Sequence, residues 1–284
     1  MLLVIGSTGN IGSELVRLCI RSGEPVAAAA RSVQRLKDLF GEIEISEFDF
    51  EDASTWSSSL DNIEKVFFIA PQPQPHESVK PFLQLAKDAG INHILYSSGR
   101  TTGGISGSPM NLVEELVKNS GLPFTIIRPG WFMQNFNSWI GASLPGDKAF
   151  YLPAGTSKTA FVDVRDVSAV AHAILESGSY IGETLALTSE APLDHYQVAS
   201  AISELTGVEI KYVDLPKAQY IQKLTEYGWS VESARFFGYI YELVASGCEE
   251  EVSSDVRRVL GRSPISFQQF LRDHKNDFLQ LVAK

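Results

Sequence analysis

Three glycines, Gly6, Gly9 and Gly12, stand at intervals of three directly after the apolar run Leu2 to Ile5. Between a strand and a helix such glycines divide one task. One permits a tight turn, one lets backbone approach a pyrophosphate, and one lets the helix pack close against the strand. The helix that follows offers unpaired N–H groups and the positive end of its dipole to phosphate. The spacing is Gly-x-x-Gly-x-x-Gly rather than Gly-x-Gly-x-x-Gly. Its position, after an N-terminal strand and before the stripe Ile11, Leu15, Leu18 and Cys19, nevertheless points to a bound dinucleotide. Gly6, Ser7, Thr8, Gly9, Asn10 and Ile11 are the expected contacts. The competing reading is a glycine-rich turn without a ligand.

The end of the next strand selects the nucleotide. Ala28-Ala29-Ala30-Arg31-Ser32 carries no acid to accept from a ribose 2′-hydroxyl. Arg31 offers charge-assisted bonds to a 2′-phosphate, Ser32 adds a hydroxyl, and Arg35 lies one helical turn further on. The expectation is NADP(H) rather than NAD, against the plainer reading of Arg31 as a solvated surface arginine.

These residues need a scaffold that gathers strand ends. Strand-like runs recur at 2–5, 25–30, 43–48, 65–70, 94–97 and 124–127, separated by helical stripes such as Val79, Phe82, Leu83 and Ala86. Val66-Phe67-Phe68-Ile69 is apolar on both faces, as in a buried parallel strand. Pro71, Pro73 and Pro75 are expected to hold the next stretch extended. The alternation predicts an α/β fold: a Rossmann-type doubly wound parallel sheet with a smaller, mostly helical C-terminal lobe. Residues 1–150 are assigned to the nucleotide-binding domain, and 151–284 to the remaining sheet and helix elements and a substrate-binding lobe. Helices are expected over 195–206, 216–227 and 231–247, and over the stripe Val167 to Leu175 with Asp166 as its N-cap.

The 284 residues are 44% hydrophobic and 20% charged, enough for a sizeable core. Lys and Arg number 24 against 34 Asp and Glu, which argues against a basic, nucleic-acid-coating surface. Two cysteines make no disulfide framework, and neither they nor the five scattered histidines show metal-ligand spacing in the sequence. No metal is expected. No apolar run approaches the roughly 18 residues of a membrane span, and a reducing, cytoplasmic setting follows as the expectation.

Together, Val4 to Gly12, Ala30-Arg31-Ser32, Phe48-Asp49-Phe50, Ser120 to Phe136, Phe161 to Val167 and Asp255 to Arg262 resemble the NmrA-like group of atypical short-chain dehydrogenase/reductases. The likeness runs along nearly the whole chain and is most specific over 120–136. Within the group it looks nearest to festuclavine/agroclavine-type dehydrogenases, with triphenylmethane reductase and quinone oxidoreductases somewhat further away. The resemblance implies further cofactor positions: Asp49 and Phe50 at the adenine, Ile69, Ala70 and Pro71 beneath the cofactor, and Ser97 and Ser98 near the nicotinamide ribose. The residues themselves place these only at strand C-termini, and a turn or helix cap explains Asp49 equally well.

One departure from that pattern matters. Ordinary short-chain dehydrogenases use a Tyr-x-x-x-Lys pair, whereas Tyr96 is followed by Arg100. Met110 and Asn111 stand where relatives often carry Lys or His. No catalytic residue is assigned. Trp131, Phe132, Phe136 and Trp139 follow the sixth strand, and with Met110 and Asn135 they are candidate contacts for a flat, apolar substrate. Core packing is the alternative for each aromatic ring.

The resulting expectation is an NADPH-dependent reductase of a small flat or cationic molecule, such as an imine, iminium ion, quinone or enone, with secondary metabolism as one setting. An NADP(H)-binding sensor that regulates a protein partner without turnover, and a non-redox cyclase, are the alternatives. Neither a membrane nor a nucleic acid is an expected partner.

Overall fold

The structure, a computed structural model, describes residues 1–71 and 75–283. In chain order its first half runs β1 (Leu2–Ile5), α1 (Asn10–Ser22), β2 (Val26–Ala30), α2 (Val33–Phe40), β3 (Glu44–Glu47), β4 (Lys65–Phe68), α3 (Pro75–Asp88), β5 (His93–Ser97), α4 (Pro109–Lys118) and β6 (Phe124–Pro129). Then follow β7 (Ala149–Leu152), α5 (Val164–Ser177), β8 (Thr184–Leu187), α6 (His195–Thr206), β9 (Lys211–Asp214), α7 (Lys217–Glu226) and α8 (Val231–Ala245). The chain closes with α9 (Asp255–Leu260), α10 (Phe267–Asp273) and α11 (Lys275–Ala283). Short helical turns at Trp56–Ser59 and Arg100–Gly103 lie between these elements.

Among the described residues seven strands form one sheet in the order β3-β2-β1-β4-β5-β6-β8. Every neighbouring pair is parallel. The expected doubly wound Rossmann-type architecture is therefore present. The central strands are apolar because both their faces are covered: Leu3, Val4, Val66, Phe67, Phe68, Ile94 and Leu95 are all inaccessible to solvent. The chain winds outward from β1 to β3 and then crosses to β4, so the order reverses between β1 and β4. Ligands of open α/β sheets bind outside the strand C-termini at such a switch point.

Local signals set the helix ends. Gly23 closes α1 in the left-handed region at φ 77° and donates to the carbonyls of Cys19 and Ile20. Ser32 caps α2, and Ser108 caps α4 ahead of Pro109. Two expectations need correction. Pro75 is the first residue of α3 rather than part of an extended stretch; residues 72–74, including Pro73, lie outside the described residues. Asp166 is not an N-cap, since α5 begins at Val164; it is buried in the first turn and ion-paired with Arg262 at 2.8 Å.

The chain divides into two compact units that alternate along the sequence instead of splitting near residue 150. The first comprises Met1–Pro129, Val164–Leu187 and Asp255–Arg262; the second comprises Gly130–Asp163, Thr188–Ser254 and Ser263–Lys284. Strand β8 completes the sheet beside β6, and the Asp255 carboxylate accepts from the Ala186 N–H at 2.9 Å, fixing α9 to the strand's edge. In the second unit β7 and β9 pair in parallel, and Phe136, Phe150, Phe161, Tyr212, Tyr241 and Phe267 form an aromatic core around His195. Among the described residues no helix is long and apolar enough to cross a membrane.

Each unit buries a neutral histidine. Burial lowers His93, beside Thr125 Oγ1 at 3.0 Å, and His195 from 6.5 to about 4. Between those values the unfolded chain binds more protons than the native one, so stability is complete above about pH 6.5 and erodes toward pH 4, with a slope of up to about 1.4 kcal/mol per pH unit per histidine. Urea unfolding across that range should show the slope, and His93→Gln should reduce it by one histidine's share.

Candidate functional site

The loop after β1 uses its three glycines in three ways. Gly6 sits at φ 89°, where only glycine turns without strain, and its N–H donates to the Ala29 carbonyl at 3.1 Å. Gly9 is the N-cap of α1 and supplies no side-chain cap, so the first-turn N–H groups of a thirteen-residue helix face the loop uncapped by any side chain. Gly12 lies against the turn itself, for a Cβ there would stand 2.4 Å from the Gly6 oxygen. Turn, open helix end and close packing are therefore all realised.

The flanking residues separate into two groups. Thr8 is half-buried and reaches the cleft described below. Ser7 does not: it is fully buried, its hydroxyl donates to the Val4 carbonyl at 2.5 Å and accepts from the Ala29 N–H at 3.2 Å. Its side chain fastens the loop to β1 and β2. Ile11 is likewise buried, and Asn10 is exposed on the helix start.

A cleft of about 390 Å³ opens where β1 to β4 end. Gly6 and Thr8 form its floor, with Ile69 and Pro71 after β4, and Asp49 and Phe50 after β3. Arg31, Ser32 and Arg35 line the β2 side. Both arginines are exposed, and among the described residues neither forms an ion pair. Ser32 has a second task, since its Oγ accepts from the Arg35 N–H at 3.3 Å and so starts α2 directly behind Arg31. Asp49 is held as the turn reading required: its carboxylate accepts from the Glu51 N–H at 3.0 Å and its carbonyl from Trp56 Nε1 at 2.7 Å. It also lines the cleft. Ile5, Ala30, Phe48 and Glu51 line it without having been expected, because each is read from sequence as the last strand residue or as part of a turn.

Ala70, Ser97 and Ser98 are buried and lie outside this cleft. The Ser97 hydroxyl has no hydrogen-bond partner among the described residues, an orphaned polar atom at the C-terminus of β5. Ser98 lies against Gly103, where a Cβ would stand 2.5 Å from its Oγ, and its hydroxyl is likewise without a partner among the described residues. An uncapped helix start and two guanidinium groups without ion pairs among the described residues, gathered around one cleft, fit a phosphate-bearing dinucleotide.

Proton-transfer machinery is not in evidence at Tyr96. Its ring is 1% exposed and stacks on Phe68 at 4.9 Å and 23°. Burial raises its pKa far above the ordinary phenol value, with Glu114 adding to the rise and Ser98 opposing it. Glu114 was missed as a structural anchor. It is fully buried on α4 and takes Arg128 Nε at 2.8 Å and Nη2 at 2.6 Å, while Nη2 also donates to the Gly103 carbonyl at 3.0 Å. The fork ties α4, β6 and the turn at 100–103 together. The available signal was an acid between Val113 and Val117 on a buried helical face. Met110 is half-buried on α4, its sulfur accepting from the Thr102 hydroxyl at 2.7 Å.

In the second unit Trp131, Phe132 and Asn135 are half-buried, and Trp131 lies 4.9 Å from Tyr241 and 6.5 Å from Trp139. Phe136 is different: it is 1% exposed, with Phe150, Phe161 and Phe267 packed edge-on at 5.1–5.8 Å. It is core rather than substrate wall. A second cavity, of about 290 Å³, is lined by Trp139, Tyr151, Tyr220, Lys223, Tyr227 and Trp229 among others. The Tyr220 hydroxyl there is buried without a partner among the described residues. Sequence reading missed this cavity because its walls come from segments some 70 residues apart.

The NmrA-like family model matches residues 1–255. An NAD(P)H azoreductase of Xenophilus azovorans is 29% identical over 98% of this chain and 99% of its own. An NADPH-dependent quinone oxidoreductase of Escherichia coli, solved with NADPH, superposes with a TM-score of 0.86 at 19% identity, covering 96% of this chain and 99% of that one. NmrA, a negative transcriptional regulator solved with NAD, gives 0.75 at 18%, covering 100% and 98%. These two structural likenesses show the fold.

Proposed function

Because the chain belongs to the NmrA-like family, we propose that it is an NADP(H)-dependent reductase of small flat or cationic organic molecules, such as imines, iminium ions, quinones or enones. One observation carries the reading. The strand-end cleft combines a glycine turn and an uncapped helix start with two arginines that have no ion-pair partner among the described residues. The azoreductase and quinone oxidoreductase relatives are named for NAD(P)H-dependent reduction, which supports it.

Bound in the cleft, NADPH supplies a hydride. The α1 N-terminus and the loop backbone hold the pyrophosphate, while Arg31 and Arg35 neutralise the 2′-phosphate. Phe48, Phe50 and Ile69 give the cleft an apolar wall. No side chain is assigned to deliver a proton. An iminium carbon accepts hydride without prior protonation, and such a substrate suits a protein whose Tyr96 is locked in the core. Its catalytic contribution is then chiefly the holding of two reactants in contact.

Calorimetry with NADPH and NADH, followed by NADPH oxidation with a panel of quinones, imines and cationic dyes, tests the proposal. Tyr96→Phe and Arg100→Ala should each keep turnover within a small factor of wild type, whereas loss of a general acid costs roughly a hundredfold or more. A hundredfold loss in Tyr96→Phe overturns the acid-free mechanism. Tight NADPH binding without oxidation of any acceptor selects a sensor role or a non-redox cyclase, the former in keeping with the likeness to the NmrA regulator.

A further inference from the structure

Three potential metal ligands meet at the end of α1 remote from the glycine loop. Cys19 lies on the last turns of α1, Glu24 just beyond its cap, and His172 on α5, with donor atoms all within 4.8 Å of one another. His172 Nε2 is 2.9 Å from Glu24 Oε1, and the Ser22 hydroxyl stands 3.1 Å from that oxygen and 3.3 Å from Nε2. Cys19 is fully buried, while the side chains of Glu24 and His172 are 32% and 16% exposed. The cluster thus has a buried sulfur at its base and an opening to solvent at its rim.

From this geometry we propose that Cys19, Glu24 and His172 form a zinc-type metal site. Thiolate, imidazole and carboxylate are the donors zinc takes, at about 2.3 Å for sulfur and about 2.0–2.2 Å for nitrogen and oxygen. Tetrahedral ligand atoms at those lengths stand roughly 3.5 Å apart, so shifts of the order of an ångström bring these three into register. Three protein ligands leave the fourth position to water, and the exposed rim supplies it. The surroundings favour a cation. The C-terminus of α1 ends here, with Gly23 closing it over the carbonyls of Cys19 and Ile20, and this is the negative end of the helix dipole. Arg21, on the same last turn, is bonded to Glu14 at 2.7 Å. Coordination uses the thiolate, so binding releases one proton to solvent.

The site is not part of the nucleotide cleft. Asn10 and Cys19 are separated by about 14 Å along the helix axis at 1.5 Å per residue. A metal here would clasp α1, the helix that carries the glycine loop, to α5; the Ser168 hydroxyl already bonds the Ile11 carbonyl at 3.0 Å near the other end of the same helix pair. Its expected effect is to stiffen the scaffold of the first unit.

The test uses the untagged full chain carrying Cys248→Ser, which removes the exposed thiol. Titration with Co²⁺ should saturate at one equivalent with a thiolate-to-cobalt charge-transfer band, which Zn²⁺ then abolishes by displacement. Saturating zinc should raise Tm by roughly 5 °C. Cys19→Ser should remove the band, and Glu24→Gln and His172→Gln should each weaken zinc binding roughly tenfold or more. If Cys19→Ser fails to fold, the two partly exposed positions carry the test. No charge-transfer band, a band that survives Cys19→Ser, or zinc affinity unchanged in both Glu24→Gln and His172→Gln overturns the proposal. Metal-free variants should bind NADPH as the parent does, so the outcome is independent of the cofactor reading.

Discussion

Gly9→Val should abolish measurable binding of both NADPH and NADH while leaving a folded protein. At φ −88° and ψ 171° the backbone of Gly9 suits any L-residue, and its first side-chain carbon would meet the Gly6 oxygen at 3.4 Å, an ordinary contact. The valine methyls would instead occupy the space before the first turn of α1, where a phosphate must approach the N–H groups. Losing that contact costs about 3 kcal/mol or more, over a hundredfold in affinity. The helix itself loses about 1 kcal/mol at its N-cap. Calorimetry gives the first quantity and urea unfolding the second. Gly12→Ala is the contrast, because its Cβ would collide with backbone 2.4 Å away and should lower stability before any question of binding arises. Normal NADPH binding by Gly9→Val would mean that the phosphate loop has been misplaced.

Arg31→Ala should weaken NADPH tenfold to a hundredfold, the value of one or two charged hydrogen bonds at about 1.5–3 kcal/mol, and leave NADH nearly unchanged. The guanidinium is exposed beside the cleft and, among the described residues, forms no ion pair that its removal would disturb. Arg35→Ala should give a smaller loss in the same direction. A wild-type preference for NADH would remove the assignment altogether.

Consecutive residues made part of this site readable in advance. The glycine turn, its helix and Arg31 depend on spacing within thirty residues, and local backbone rules decide them. The sheet was equally plain, because apolar runs of four or five residues alternate with helical stripes. Side-chain direction was not. Ser7 sits among loop residues yet turns its hydroxyl into the protein, and Phe136 belongs to an aromatic run yet points into the core. A strand-end aromatic carries no mark that separates ligand wall from packing. Pairings across the chain were further out of reach: Cys19 and Glu24 meet His172 some 150 residues later, and neither segment shows ligand spacing. The division into units escaped for the same reason, since the return to the first unit at Val164 leaves no local trace.

The order in which the sheet is completed bears on how the chain is made. Strand β6 is finished at Pro129, but its outer neighbour β8 begins only at Thr184, and the Arg262 partner of the buried Asp166 comes 78 positions after β8 starts. A chain emerging from the ribosome at roughly 5–20 residues per second therefore carries an open sheet edge for some seconds. Unpaired edges recruit other strands. Nascent chains stalled near residue 150 should depend on holding chaperones, and a gene fragment ending there should yield insoluble protein.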